Sequence, residues 1–177
     1  NMALSKIGTN GISDSAITVA KTSGVGITMV DQWRISANTS STGAFFITSN
    51  WERADTDGFG QLGTGMTESS GEFTFPSTGI YSIKFQTTYQ TAAADAVECD
   101  IYTTTNGSSY GVASVTRGDS SEDTLGMTMY AEMIFDVTNT TTHKVKFYAE
   151  SVNSGTYFYG HSDKTMTGAT FIRLGDT

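Results

Sequence analysis

The sequence predicts an all-β protein, a ten-stranded antiparallel sandwich of the jelly-roll type, and three observations support this. Threonine, serine and glycine account for 30, 20 and 19 of the 177 residues, and the branched Cβ of threonine suits a pleated strand. Apolar and polar residues alternate with a period of two over long stretches, as they do in half-buried strands. Turn residues separate these stretches at short intervals, and no stretch has the pattern of a long helix.

Residues 1–29 are predicted to form a separate linker or attachment segment, extended or partly helical. Residues 1–27 contain no aromatic residue and are repeatedly interrupted by glycine. Residues 12–21 suit either a short helix or an extended segment that packs against copies of itself. About two helical turns are not stable alone in water, so we expect this segment to be disordered or held by a partner. The predicted domain comprises residues 30–177.

The strands of this domain follow from the alternation and from the turns between the alternating stretches. Trp33 and Ile35 share one face of the first strand, and Asn106-Gly107 marks a tight hairpin in the middle of the chain. The predicted strands are 31–36, 44–48, 51–54, 73–75, 81–89, 97–104, 110–116, 126–137, 143–152 and 167–174.

The stretch 71–89 is predicted to contain the central strand of the sandwich. Its apolar residues from Tyr81 to Tyr89 fall on one face, and Ser82, Lys84, Gln86 and Thr88 fall on the other. The only proline of the chain, Pro76, precedes this run. Proline cannot donate a hydrogen bond to a sheet ladder and therefore belongs at a strand end. The pattern predicts a strand, a short turn and a long central strand.

Charge and hydropathy argue against several classes of partner. The formal net charge is −8, whereas binding to phosphate groups of nucleic acids needs clustered lysine and arginine. The same charge disfavours anionic membrane surfaces. No run reaches the roughly 18 apolar residues of a transmembrane helix, and no signal-peptide pattern is present.

No catalytic residue, metal ligand or cofactor is assigned from the sequence. The only cysteine, Cys99, is expected to be a buried apolar residue, and the two histidines, His143 and His161, lack the ligand spacing of a zinc site. The run 55–58 resembles the start of a calcium loop, but Met66 stands where an EF-hand needs glutamate. Two interpretations of this run are left, an irregular calcium site at Asp55 and Asp57 or a tight turn. The acid pairs Glu122–Asp123 and Glu98/Asp100 are expected to be solvated.

Residues 73–81 resemble the hallmark of C1q/TNF-like jelly rolls, Phe-x-x-Pro-x-x-Gly-x-Tyr followed by an alternating strand. The resemblance extends over about 30–174, and the last strand resembles the family's closing strand except that Ile172 stands where glycine is expected. It implies a homotrimer around a three-fold axis, with exposed apolar residues near that axis. The candidate interface residues are Trp33, Tyr130, Ile134 and Phe171.

Residues 11–21 resemble the linker units that precede terminal domains in tailed-phage fibre and virion proteins. We therefore expect a structural, non-enzymatic component of a phage virion: a trimeric fibre tip that joins other virion proteins through residues 1–29. Its loops, with Tyr110, Tyr157 and Tyr159, are expected to bind a host glycan or protein. The alternatives are a capsid decoration or head-fibre protein, a polysaccharide depolymerase domain, and a secreted C1q-like ligand.

Overall fold

The computed structural model describes residues 26–92, 95–120 and 126–177. The predicted attachment segment therefore lies outside the described residues, apart from residues 26–29. Within the described residues there are twelve strands: β1 (Met29–Ile35), β2 (Gly43–Phe46), β3 (Trp51–Arg53), β4 (Thr67–Ser69), β5 (Glu72–Thr74), β6 (Gly79–Gln90), β7 (Asp95–Thr104), β8 (Gly111–Ser120), β9 (Gly126–Val137), β10 (Lys144–Val152), β11 (Tyr157–Phe158) and β12 (Gly168–Gly175).

The strands form two antiparallel sheets. In the first sheet the order is β9, β6, β12, β1 and β3, and β11 pairs with the end of β6 beyond β12. In the second sheet the order is β8, β7, β10, β5 and β4, and β2 pairs with β10 beyond β5. The prediction of an all-β antiparallel sandwich is confirmed. The described residues form twelve strands, whereas ten were predicted. The two additional strands, β4 and β11, have three and two residues, too few to show alternation.

Aromatic side chains from both sheets fill the space between them. Strand β6 directs Tyr81, Ile83, Phe85 and Tyr89 into the core, where all four are fully buried. Phe85 stacks on Phe147 of the second sheet with ring centroids 4.5 Å apart. Such offset aromatic pairs add to the free energy gained by burying their surface. The alternation read from the sequence is therefore the alternation between core and surface.

The turn before β6 explains the proline–glycine motif. Gly79 has a φ of 145°, and a Cβ at this position would lie 2.5 Å from both Nε of Arg173 and the carbonyl oxygen of Gly175. The hydroxyl of Tyr81 donates a hydrogen bond of 2.9 Å to the carbonyl oxygen of Ser77. Glycine is therefore required for backbone conformation and for space, and the tyrosine holds the turn closed.

The register defines two ends of the sandwich. Met29 pairs with Arg173, and Gly79 pairs with Val137, so the chain enters and leaves the domain at the same end, the terminal end. Gln90 pairs with Gly126 at the opposite end, the distal end. The described residues include no helix long and apolar enough to span a membrane.

Candidate interaction surfaces

The four predicted interface residues divide into two exposed and two buried side chains. Tyr130 and Ile134 lie on the outer face of β9, where 51% and 58% of their surface is exposed. Trp33 is only 8% exposed and Phe171 is fully buried. Both lie on the inward faces of interior strands and contact the ring of Phe73 in the second sheet, at centroid distances of 5.5 and 5.3 Å. Assigning them to an interface was wrong, because the core of one subunit already encloses them.

The register also creates an apolar row that the sequence does not reveal. Ile134 lies opposite Ser82, Ser82 opposite Ile172, and Ile172 opposite Val30. Leu62, which is about half exposed, bridges to Val30 and extends the row beyond β1. With neighbouring strands about 4.8 Å apart, Ile134, Ser82, Ile172, Val30 and Leu62 form a row about 19 Å long. Its residues lie far apart in the sequence, so only strand pairing brings them together.

Polar side chains adjoin the apolar row on the same face. Lys84 lies between Glu132 and Thr170 in the register, and Gln32 donates a hydrogen bond of 3.3 Å from Nε2 to the Thr170 hydroxyl. The ammonium of Lys84 lies 4.3 Å from the centre of the Tyr130 ring. This cation–π contact supports Tyr130 in its exposed position. The outer face of the first sheet therefore combines an apolar row with specific polar groups.

The three predicted ligand-binding tyrosines do not form one site. Tyr110 lies near the terminal end, where its hydroxyl donates a 2.7 Å hydrogen bond to Oε2 of Glu72. Lys146 lies 4.5 Å from the centre of its ring and 3.4 Å from the Glu72 carboxylate. The hydrogen bond from Tyr110 is the largest influence that lowers the pKa of Glu72, and Lys146 adds to it. Burial, followed by the bond to Glu72, raises the pKa of Tyr110.

Tyr157 and Tyr159 meet at the distal end. Their rings are edge to face with centroids 5.0 Å apart, and both hydroxyls bond to Oε1 of Gln90. The hydrogen bond with Tyr157, followed by burial, raises the pKa of Tyr159. Strand β6 spans the sandwich from Gly79 to Gln90, and Tyr110 lies towards the opposite end. The structure therefore joins two of the three predicted tyrosines and separates them from the third.

Three carboxylates converge on the outer face of the second sheet. Glu98 and Asp100 follow one another on that face of β7, and Glu150 of β10 lies directly opposite Glu98. Burial raises the pKa of Asp100 to about 6, with the charges of Glu98 and then Glu150 adding to the effect. The sequence identified Glu98 and Asp100 as an acid pair, and strand pairing adds the third acid. Asp100 is buried, so the expectation that this pair is solvated was wrong for that residue.

Other residues tested for chemistry have structural partners. Burial raises the pKa of Cys99 to about 12, in agreement with the expected buried residue. His143 is buried in the turn before β10, close to the hydroxyls of Thr138 and Thr142. Asp55 forms an ion pair of 3.2 Å with the buried Arg34. The pair Glu122–Asp123 lies outside the described residues.

No protein-family model and no curated protein matches this chain. Solved structures do match it. The crystal structure of murine APRIL at pH 5.0 has a TM-score of 0.62 over 82% of this chain and 98% of that chain, at 13% identity. The same protein at pH 8.5 has a TM-score of 0.59, with the same coverage and 14% identity. Eiger TNF from S. frugiperda has a TM-score of 0.56 over 86% of this chain and 95% of that chain, at 12% identity. These likenesses establish a TNF-like jelly-roll fold.

Proposed function

We propose that this chain is a non-enzymatic, trimeric binding head: the tip of a phage fibre that attaches the virion to a host surface. The observation that carries the trimer is the apolar row on the outer face of the first sheet. In the C1q/TNF-like family that the sequence resembles, subunits contact one another around a three-fold axis, which supports the same arrangement for this chain. The phage assignment rests on the resemblance of residues 11–21 to fibre linkers.

The trimer surface comprises the apolar row together with Tyr130. Ile134, Leu62 and Tyr130 are all about half exposed in the single chain. Val30 and Ile172 lie between Leu62 and Ile134 on the same face, and Ser82 is the one polar residue of the row. Apolar residues grouped on one face mark an interaction site more often than scattered surface residues do. Each Å² of apolar surface that is buried against the two other copies stabilises the trimer by about 25 cal/mol.

The arrangement of the two ends supports a binding role for the distal end. The described chain begins near Met29 at the terminal end, so an attachment segment would join the domain there. The distal end would then point away from the virion and present Tyr157 and Tyr159. Paired aromatic side chains with hydroxyls suit stacking on sugar rings and hydrogen bonding to them. Tyr110, which bonds to Glu72 near the terminal end, is not part of this binding surface.

The test of the trimer is the solution mass of residues 1–177 by light scattering, for a chain of 18.9 kDa. We expect the mass of three chains. The variant Ile134→Asp should shift the protein towards monomer. The matched control Val112→Asp places the same charge at an equally exposed position on β8 of the second sheet, and it should leave the mass unchanged. A monomeric wild-type protein would contradict the trimer.

The test of host binding is competition with phage adsorption. The purified chain should slow adsorption to host cells, and Tyr157→Ala with Tyr159→Ala should weaken this effect while the trimer mass is retained. If the chain is instead a capsid decoration protein, it should not compete with phage adsorption. A depolymerase predicts new reducing ends when the protein is incubated with host polysaccharide, and our proposal predicts none.

A further inference from the structure

The acidic cluster on the outer face of the second sheet consists of Glu98, Asp100 and Glu150. One carboxylate oxygen from each residue lies within 4.8 Å of the other two. It is the one grouping of three or more His, Cys, Asp or Glu side chains with this geometry in residues 26–92, 95–120 and 126–177. Glu98 and Glu150 lie directly opposite each other on neighbouring strands. Like charges in this arrangement destabilise a sheet.

Asp100 provides a second, independent observation. Its side chain is only 2% exposed, and its Oδ1 is buried without a hydrogen-bond partner. A buried polar atom without a partner destabilises the fold, and more so if it is charged. The cross-strand neighbours of Asp100 are Tyr148 and Val115, which carry no positive charge. Arg117 of β8 lies opposite Glu98 in the register, but it is exposed and forms no ion pair with another described residue. The lysines of β10 interact with other residues: Lys144 donates a hydrogen bond to the Thr74 hydroxyl, and Lys146 forms an ion pair with Glu72.

We propose that Glu98, Asp100 and Glu150 form a calcium-binding site on the outer face of the second sheet. A cation among the three carboxylates supplies a partner for the buried Asp100 carboxylate and offsets the repulsion between Glu98 and Glu150. Glu98 and Glu150 are partly exposed, so water completes the coordination from the open side.

The ligand types favour a hard cation, and the adaptable coordination of Ca²⁺ suits a site completed by water better than the strict octahedron of Mg²⁺ does. All three ligands are carboxylates, which suit hard cations, and no histidine or cysteine is present to favour zinc. Ca–O distances are about 2.3–2.6 Å, so two oxygens on one Ca²⁺ lie at most about 5 Å apart. For Mg²⁺, at about 2.1 Å, this limit is about 4.2 Å. The three oxygens lie within 4.8 Å of one another, so small movements of the partly exposed Glu98 and Glu150 side chains let one Ca²⁺ contact all three.

This site is independent of the proposed trimer. It lies on the second sheet, whereas the apolar row lies on the outer face of the first sheet. Each proposal can therefore fail without the other.

The experiment is calorimetric titration of the chelator-treated full chain with CaCl₂, together with thermal unfolding. We expect one saturable site per chain with a dissociation constant of about 10⁻⁵ to 10⁻³ M, and much weaker binding of MgCl₂. At a Ca²⁺ concentration one hundred times the dissociation constant, the melting temperature should rise by about 5–10 °C.

Two variants separate the site from general charge effects. Glu98→Gln with Glu150→Gln should abolish the calcium response and raise the melting temperature of the metal-free protein, because the repulsion is removed. The control, Asp57→Asn with Asp163→Asn, removes the same two charges from exposed loops and should retain the response. Loss of the response in the control alone would place calcium at the Asp55–Asp57 loop and overturn the proposal. No heat and no thermal shift in the wild-type protein would also overturn it.

Discussion

Cys99 shows how position on a strand decides the chemistry of a side chain. It alternates with Glu98 and Asp100 on β7, and this alternation turns its thiol into the core between Val97 and Ile101. Burial raises its pKa to about 12, and the thiolate is the reactive form. The same alternation turns Asp100 to the outer face.

We predict that Cys99 does not react with thiol reagents in the folded protein at pH 8. The protein should give no colour with Ellman's reagent until guanidinium chloride unfolds it, and then one thiol per chain, since the chain has one cysteine. Rapid reaction under native conditions would contradict the buried position.

Glu72 gives a pH dependence of stability. Its pKa is lowered in the folded protein from 4.5 by the hydrogen bond from Tyr110 and by Lys146. The contribution of Glu72 to the free energy of unfolding is therefore present above pH 4.5, and it is lost as the pH falls through the folded-state pKa. We predict that Glu72→Gln lowers the free energy of unfolding by about 0.5 kcal/mol at pH 7, a small value because water screens this partly exposed pair.

The measurement is urea unfolding of wild type and Glu72→Gln between pH 3 and pH 7. The difference in the free energy of unfolding between the two proteins should narrow as the pH falls below 4.5 and through the lowered pKa of Glu72, because the wild-type carboxylate then becomes protonated. The control Asp57→Asn removes one charge from an exposed loop away from Glu72 and from the proposed trimer surface, and it should change the free energy of unfolding at pH 7 by less than about 0.5 kcal/mol. A gap that widens as the pH falls would reverse the assigned direction of the pKa shift.

At the scale of elements, strand length decided what the sequence could predict. The long strands β6, β9 and β10 alternate over nine to twelve residues and were predicted within one or two residues of their ends. β8 was predicted to end at Thr116 but continues to Ser120. It is an edge strand with an exposed outer face, so Arg117 and Asp119 are accommodated there although they resemble a polar loop.

We predict that Gly79→Ala destabilises the protein by about 2–3 kcal/mol. The φ of 145° is strained for alanine, and its Cβ would clash with Arg173 and Gly175. The measurement is the midpoint of urea unfolding. The control Gly111→Ala places a methyl group in open space on β8 and should change stability by less than about 0.5 kcal/mol. Equal effects of both substitutions would mean that the turn does not need glycine.

At the scale of the whole molecule, the net charge opposes the proposed assembly. Each chain carries a formal charge of −8, so association of three chains must overcome electrostatic repulsion. At 0.1 M salt the Debye length is about 10 Å, so added salt weakens the repulsion between chains. The apolar contacts of the row depend little on salt.

We predict that the trimer becomes tighter as NaCl rises from about 20 to about 300 mM. Sedimentation equilibrium of the chelator-treated protein at each salt concentration measures this, and chelation keeps bound calcium from changing the charge. Dissociation of the trimer by salt would instead indicate that ion pairs across the interface dominate.

The sequence by itself determined the all-β class, the long strands, the central turn and the burial of Cys99. These features depend on local alternation and on the backbone properties of single residues, which any stretch of chain displays. Only the tertiary structure decided the pairing of strands. It joined Ile134, Ile172 and Val30 into one row, added Glu150 to Glu98 and Asp100, and placed Tyr110 at the opposite end from Tyr157. It also showed that Trp33 and Phe171 belong to the core. Alternation shows that two residues share a face, but the packing of the two sheets decides which face is enclosed.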